Sequence, residues 1–196
     1  MNNELLSYSL EFNRLRLNLL VDMDSSVSET LDYRPSSGQG FVFVIGEIWL
    51  LLPEDSVLIV DRLNAGNLLV TLNELERQLF KPLINADDLV PVGGWAPAVQ
   101  DYWRKIDEEC ATEEDEHRYD RLAKCLLVEG LGGRIGVYEH KGVPIVEVST
   151  PSKHQALRIA RNVWSEFDPV AIRTRLRQLC DELQRAVATR IRLLKG

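Results

Sequence analysis

Leu10-Glu-Phe-Asn-Arg-Leu-Arg-Leu-Asn-Leu-Leu-Val-Asp22 alternates, with Leu15, Leu17, Leu19 and Val21 falling on one face and Arg14, Arg16, Asn18 and Asp22 mostly on the other. A period of two over this length is the mark of a strand with one face buried and one wet, and such strands belong to antiparallel sheets. Beyond the polar stretch Pro35-Ser-Ser-Gly-Gln-Gly40, the run Phe41 to Leu52 is rich in Val, Ile, Phe and Trp. Pro53-Glu-Asp-Ser56 offers a turn before Val57 to Asp61, and Asn64-Ala-Gly-Asn67 offers another before Leu68 to Leu72. These segments predict a meander of antiparallel strands.

Helical signals dominate the rest. Asn73 with Glu76 three residues on predicts a short helix over about 74–81, stopped by Pro82. Val99, Tyr102, Trp103, Ile106 and Cys110 recur at helical spacing, and so do Tyr119, Leu122, Ala123, Leu126 and Leu127 up to a stop at Gly130. Residues 134–148 return to strand chemistry around Lys141-Gly142, with Pro144 assigning one strand to an edge or a bulge. Thr150-Pro151 and Asp168-Pro169 both read as an N-cap followed by proline, which predicts helices over about 151–166 and 169–194. In the last, Ile172, Leu176, Leu179, Leu183, Val187, Ile191 and Leu194 step by three and four, leaving Arg173, Arg177, Asp181, Arg185 and Arg192 on the opposite side. The predicted class is α+β: one domain over 1–196, with an antiparallel sheet of about five to six strands, mostly from the N-terminal half plus a late hairpin, packed by central and C-terminal helices.

A length of 196 residues with 45% hydrophobic and 27% charged residues is that of an ordinary folded chain. The net charge of −7 argues against attraction to nucleic acid or an anionic membrane and favours cationic partners. Its distribution is uneven. Residues 153–196 carry ten Lys/Arg against four Asp/Glu, a net of +6 that leaves −13 by difference for residues 1–152. Three widely spaced cysteines, Cys110, Cys125 and Cys180, fit free thiols in a reducing compartment. No basic leader opens the chain and no apolar run is long enough to span a bilayer, so a cytoplasmic location is expected.

Catalytic signatures are hard to find. The glycines of Glu129-Gly-Leu-Gly-Gly-Arg-Ile-Gly136 follow a predicted helix and precede a strand, the reverse of a phosphate-cradling loop. His117, His140 and His154 lie far apart, and the cysteines lack the spacing of a metal site. No metal and no cofactor is expected. Trp95, in Gly-Gly-Trp-Ala-Pro, is a candidate contact residue on a loop, since tryptophan is enriched at interfaces.

One segment breaks a local rule. Asp107-Glu-Glu-Cys-Ala-Thr-Glu-Glu-Asp-Glu-His117 holds seven carboxylates in eleven positions. With Thr112 as an N-cap, Glu113, Glu114 and Asp115 occupy a first helical turn, where the macrodipole favours anions and Asp115 can close a capping box. Asp107, Glu108 and Glu109 instead end the preceding helix, where anions are disfavoured. A solvated surface would also produce an acidic run, but a misplaced one points to function. The favoured expectation is a non-catalytic protein-binding protein of the bacterial cytoplasm, an immunity or antitoxin protein that neutralises a basic toxin such as a nuclease. Its binding residues would be Asp107, Glu108, Glu109, Glu113, Glu114, Asp115, Glu116 and Trp95. The alternative is a small enzyme or anion-binding domain using Arg173, Arg177 and Arg185. A third option is a homo-oligomer joining the acidic and basic ends of two copies.

Overall fold

The computed structural model describes residues 5–22, 45–52, 55–130, 133–152 and 155–195. These form β1 (Leu5–Phe12), β2 (Leu15–Asp22), β3 (Ile45–Leu52), β4 (Asp55–Asn64), α1 (Ala65–Phe80), α2 (Trp95–Asp107), α3 (Glu113–Ala123), β5 (Leu126–Gly130), β6 (Gly133–His140), β7 (Val143–Ser152), β8 (Gln155–Glu166) and α4 (Pro169–Lys195). The class is α+β with antiparallel pairing, as the sequence predicts. The strands among the described residues number eight rather than five or six, and they make two four-stranded sheets, β1-β2-β3-β4 and β5-β6-β7-β8, in place of one. The expected loop around Pro35–Gly40, the start of the Phe41 run and Pro53 lie outside the described residues, as do Gly132 and His154.

The opening stretch is two strands. The buried residues are even-numbered before Asn13 (Leu10, Phe12) and odd-numbered after Arg14 (Leu15, Leu17, Leu19, Val21). That change of parity is what a two-residue turn produces, and it pairs Leu10 with Leu17 and Phe12 with Leu15 on one face. Leu68–Leu72 is not a strand, nor is the stretch 64–67 a turn: Asn64 ends β4, and the residues from Ala65 on belong to α1, in which Leu72, Leu75 and Leu79 are buried at helical spacing. Asn73 therefore lies inside a helix instead of capping one. The helix expected to run to Gly130 stops at Ala123, and Leu126–Gly130 pairs with β6.

The predicted helix over 151–166 is instead the end of β7, at Pro151 and Ser152, and from Gln155 to Glu166 the edge strand β8. Pro151 sits at a bulge, where Thr150 pairs with Arg161 but Pro151 with Ile159. Proline is tolerated at such a break in the ladder, so the Thr-Pro signal has a strand explanation. Pro144, expected at an edge or a bulge, is instead the second residue of the interior strand β7, just before pairing with β8 begins at Ile145, and it follows the turn at Lys141-Gly142, whose two residues both have positive φ (51° and 75°). By contrast Asp168 caps α4, accepting hydrogen bonds from Val170 N–H (2.8 Å) and Ala171 N–H (3.3 Å).

The second sheet is buried on both faces. Ile135, Val137, Val146 and Val148 point into a core shared with β1, β2, α1 and Ile172, Leu176, Leu179 and Leu183 of α4. Tyr138 and Ile145 face the other way, into a second core with Trp95, Val99, Leu122 and Cys125. This is why burial in β6 and β7 runs through consecutive positions, 135–138 and 145–150, rather than alternating. The outer face of this sheet carries α2 and α3.

Candidate functional site

The acidic segment is the far end of the α2–α3 hairpin, and its position depends on a charge buried in β7. Glu147 is 0% exposed. One of its oxygens accepts the N–H of Ala96 at 2.9 Å, and the other accepts the N–H of Trp95 at 3.1 Å and the hydroxyl of Tyr138 at 2.8 Å. Tyr138 in turn accepts the N–H of Gly93 at 2.9 Å. Gly94 has no side chain to cap α2, so Glu147 supplies, from the strand beneath the helix, the anion that a helix N-terminus favours. Opposite Glu147 in the ladder stands Gly136, where a Cβ would lie 2.6 Å from the Trp95 ring. Trp95 occupies that space and donates its indole N–H to the Leu122 carbonyl at 2.9 Å, tying α3 to the start of α2.

These groups are matched to one another. Burial, then the Glu147 carboxylate, raises the Tyr138 hydroxyl above its ordinary range. The same two causes push the Cys125 thiol up to about 12, so it is no thiolate nucleophile near neutrality. Trp95 is 1% exposed, which corrects the expectation of a loop tryptophan offered to a partner: it is the first residue of α2 and part of the core.

Further along α2 the core gives out. Val99 is buried, but Trp103 is 39% and Ile106 41% exposed, so the predicted core-facing stripe ends one turn in. Tyr102 stacks on Tyr119 of α3 with centroids 4.2 Å apart, and Trp103 stands edge-on to both, at 5.7 and 5.5 Å. Asp107 is the last residue of α2 and Glu108 its C-cap. Glu109 adopts φ 54°, while its N–H bonds to the Ile106 carbonyl and the N–H of Cys110 to that of Lys105. That is a Schellman ending with glutamate where glycine is usual. Thr112 then caps α3 in a full capping box with Asp115, as the sequence predicts.

Two of the seven carboxylates are tied down. Glu108 pairs with Arg104 at 2.7 Å, and Asp115 with Lys105 at 2.5 Å, which joins the two helices. The Lys105 ammonium and the Thr112 hydrogen bonds hold the Asp115 carboxyl down to about 2. Asp107, Glu109, Glu113, Glu114 and Glu116 make no ion pair with any described residue and are exposed. The structure therefore brings all seven predicted acidic residues to one end of one hairpin and leaves Trp95 at the other.

The basic face of α4 does not assemble a site in the same way. Arg177 reaches Glu76 of α1 at 2.6 Å, Arg175 reaches Glu182 at 3.3 Å, and Arg185 donates to the Asp181 carbonyl. A cleft of 370 Å³ between the ends of α1 and α3 presents Gln78, Lys81 and Lys124 above Leu83, Leu126 and Val137. Its two amines follow helix C-termini, whose carbonyl dipoles they offset. Among the described residues no set of three His, Cys, Asp or Glu side chains could hold a metal ion, and no helix is long and apolar enough to cross a membrane.

Sequence reasoning passed over Glu147, Tyr138 and Gly136. A signal for the first was present: a carboxylate inside the apolar run Val143-Pro-Ile-Val-Glu-Val148 has to be buried and satisfied. Compared with models of known families, with curated proteins and with solved structures, the chain finds no match.

Proposed function

We propose that this chain is a non-catalytic protein-binding protein that neutralises a basic partner, in the manner of a bacterial cytoplasmic immunity or antitoxin protein, and that the end of the α2–α3 hairpin is its binding surface. The observation that carries the reading is the set of five unpaired carboxylates at that end. Local stability accounts for the first turn of α3, but not for Asp107 at a helix C-terminus or for Glu109 in a left-handed conformation that costs a non-glycine residue about 1 kcal/mol. Strain retained at an exposed charged position fits a contact role. An array of carboxylates on a fixed hairpin resembles the phosphates that a basic nuclease surface meets, and it would speed association by complementarity.

The test uses the protein encoded beside this chain as the partner and replaces Asp107, Glu108 and Glu109 together by Lys. Folding should stay near parental, because cations suit the end of α2, although Glu108→Lys exchanges the present ion pair with Arg104 for a like-charge contact. Association with the basic partner should slow on the order of tenfold or more at low salt, with a flatter salt dependence. A triple variant that binds or protects cells as well as the parent would overturn the reading.

A further inference from the structure

We infer that the three-ring cluster of Tyr102, Trp103 and Tyr119, exposed beside the carboxylates of the hairpin, is the seat for an arginine side chain of the basic partner. The inference rests on the proposed binding role and goes further by naming the group received and the ring that receives it. Tyr102 and Tyr119 lie face to face, 13° from parallel, and therefore cover each other. Trp103 is inclined at 68° and 79° to them. Rings in a T-shaped arrangement cover at most one face of the indole, so the other is left to Val99 and Ile106 on its own helix or to solvent. Trp103 is 39% exposed, so part of the side chain is open to solvent. The contacts with two tyrosines hold the indole in one orientation, which lowers the entropy lost on binding.

Charge selects the occupant. The carboxylates of Glu116, Asp120 and Asp115 lie near the rings, and burial, followed by these neighbours and Tyr119, raises the Tyr102 hydroxyl above its ordinary range. Asp107 adds a further carboxylate one turn beyond Trp103. The Lys and Arg side chains of the hairpin are engaged elsewhere: Arg104 with Asp101 and Glu108, Lys105 with Asp101 and Asp115, Arg118 with the Leu89 carbonyl, and Arg121 with Asp88. The ring contacts of Tyr102, Trp103 and Tyr119 among the described residues are with one another and not with a cation. Tryptophan offers the best π face for a cation, and a guanidinium can lie flat on it while donating hydrogen bonds outward to carboxylates, which an ammonium cannot do with the same geometry.

The probe is a short peptide of alternating Gly and Arg carrying three arginines, compared with its lysine counterpart, titrated into the full chain while the four indole N–H resonances are followed by NMR. Trp103→Phe identifies the resonance and keeps an aromatic face; Trp103→Leu removes the face and keeps an apolar side chain. The arginine peptide should move the Trp103 signal more than those of Trp49, Trp95 and Trp164, and should bind more tightly than the lysine peptide. Trp103→Leu should weaken it on the order of two- to fivefold and Trp103→Phe less. Unchanged affinity in Trp103→Leu with an unmoved Trp103 resonance would overturn the seat. If the Asp107, Glu108 and Glu109 triple variant nevertheless loses the peptide, the acidic binding role stands without the seat; if the parent binds neither peptide, both fail.

Discussion

Gly136 and Glu147 stand opposite each other on β6 and β7, and the bare α-carbon of one makes room for the tryptophan whose N–H the other holds. An alanine at 136 would put its Cβ 2.6–2.7 Å from three carbons of the Trp95 indole. The sheet cannot retreat, since its other face is packed, so Gly136→Ala should cost about 1–3 kcal/mol. Glu147→Gln tests the charge without changing the volume. Its carboxamide nitrogen cannot accept a hydrogen bond, so at least one buried N–H or hydroxyl loses its partner, at a cost of about 1–3 kcal/mol. Both changes are read from the midpoint of urea unfolding and from the Trp95 indole signal. An unmoved midpoint in Glu147→Gln would mean that the helix does not depend on the buried anion.

On the scale of the element, the α2–α3 hairpin is held at its base by that network and near its end by the ion pair of Lys105 and Asp115. Asp115 titrates at about 2 in the folded chain against roughly 3.9 in an unfolded one. Its pKa is depressed on folding, so the stabilisation is complete above the unfolded value and is lost as pH falls from about 4 towards 2. The Thr112 and Asp115 amides should therefore lose protection from exchange in that window, before amides of the second sheet do. Lys105→Met, which removes the first cause of the depression, should move the loss to higher pH. An identical profile in the two proteins would assign the acid step to some other group.

Over the whole molecule, the two cores divide the work. The larger one joins β1 and β2 of the first sheet to the inner face of the second through α1 and α4, whereas the smaller one serves only to mount the hairpin. Leu179, 1% exposed on α4, lies in the larger core. Leu179→Asp places an unpaired carboxylate there and should cost about 4 kcal/mol or more, abolishing the cooperative thermal transition seen by circular dichroism. A parental melting curve would show that this face of α4 is not needed for the core. Changes at Gly136 should instead perturb α2 and α3 first, because their core is separate. The unequal charge of the chain has a structural counterpart. Five acids that pair with no described residue stand together at the end of the hairpin, while the α4 arginines Arg175, Arg177 and Arg185 are spent on neighbouring groups.

The features legible in the sequence are those whose partners lie within about four residues. Asp168 capping α4, Thr112 and Asp115 closing their box, the turn at Lys141-Gly142 and the buried stripe Ile172, Leu176, Leu179 and Leu183 are all of this kind. The change of parity at Asn13-Arg14 was equally local and marks a hairpin that a single alternating run conceals. Tertiary structure alone decided the rest. Residues 155–166 are a strand because β7 offers a ladder to pair with, and that pairing outweighs a local Thr-Pro signal. The acidic segment was readable as an anomaly, but its presentation was not. The anion that orders the start of α2 comes from Glu147, 52 residues from Trp95 along the chain, and Trp103 is 39% exposed although Val99, one turn earlier on the same helix, is buried. Buried charge and ring exposure are set by neighbours in space, and a one-dimensional pattern carries the requirement for such neighbours without saying which residues meet it.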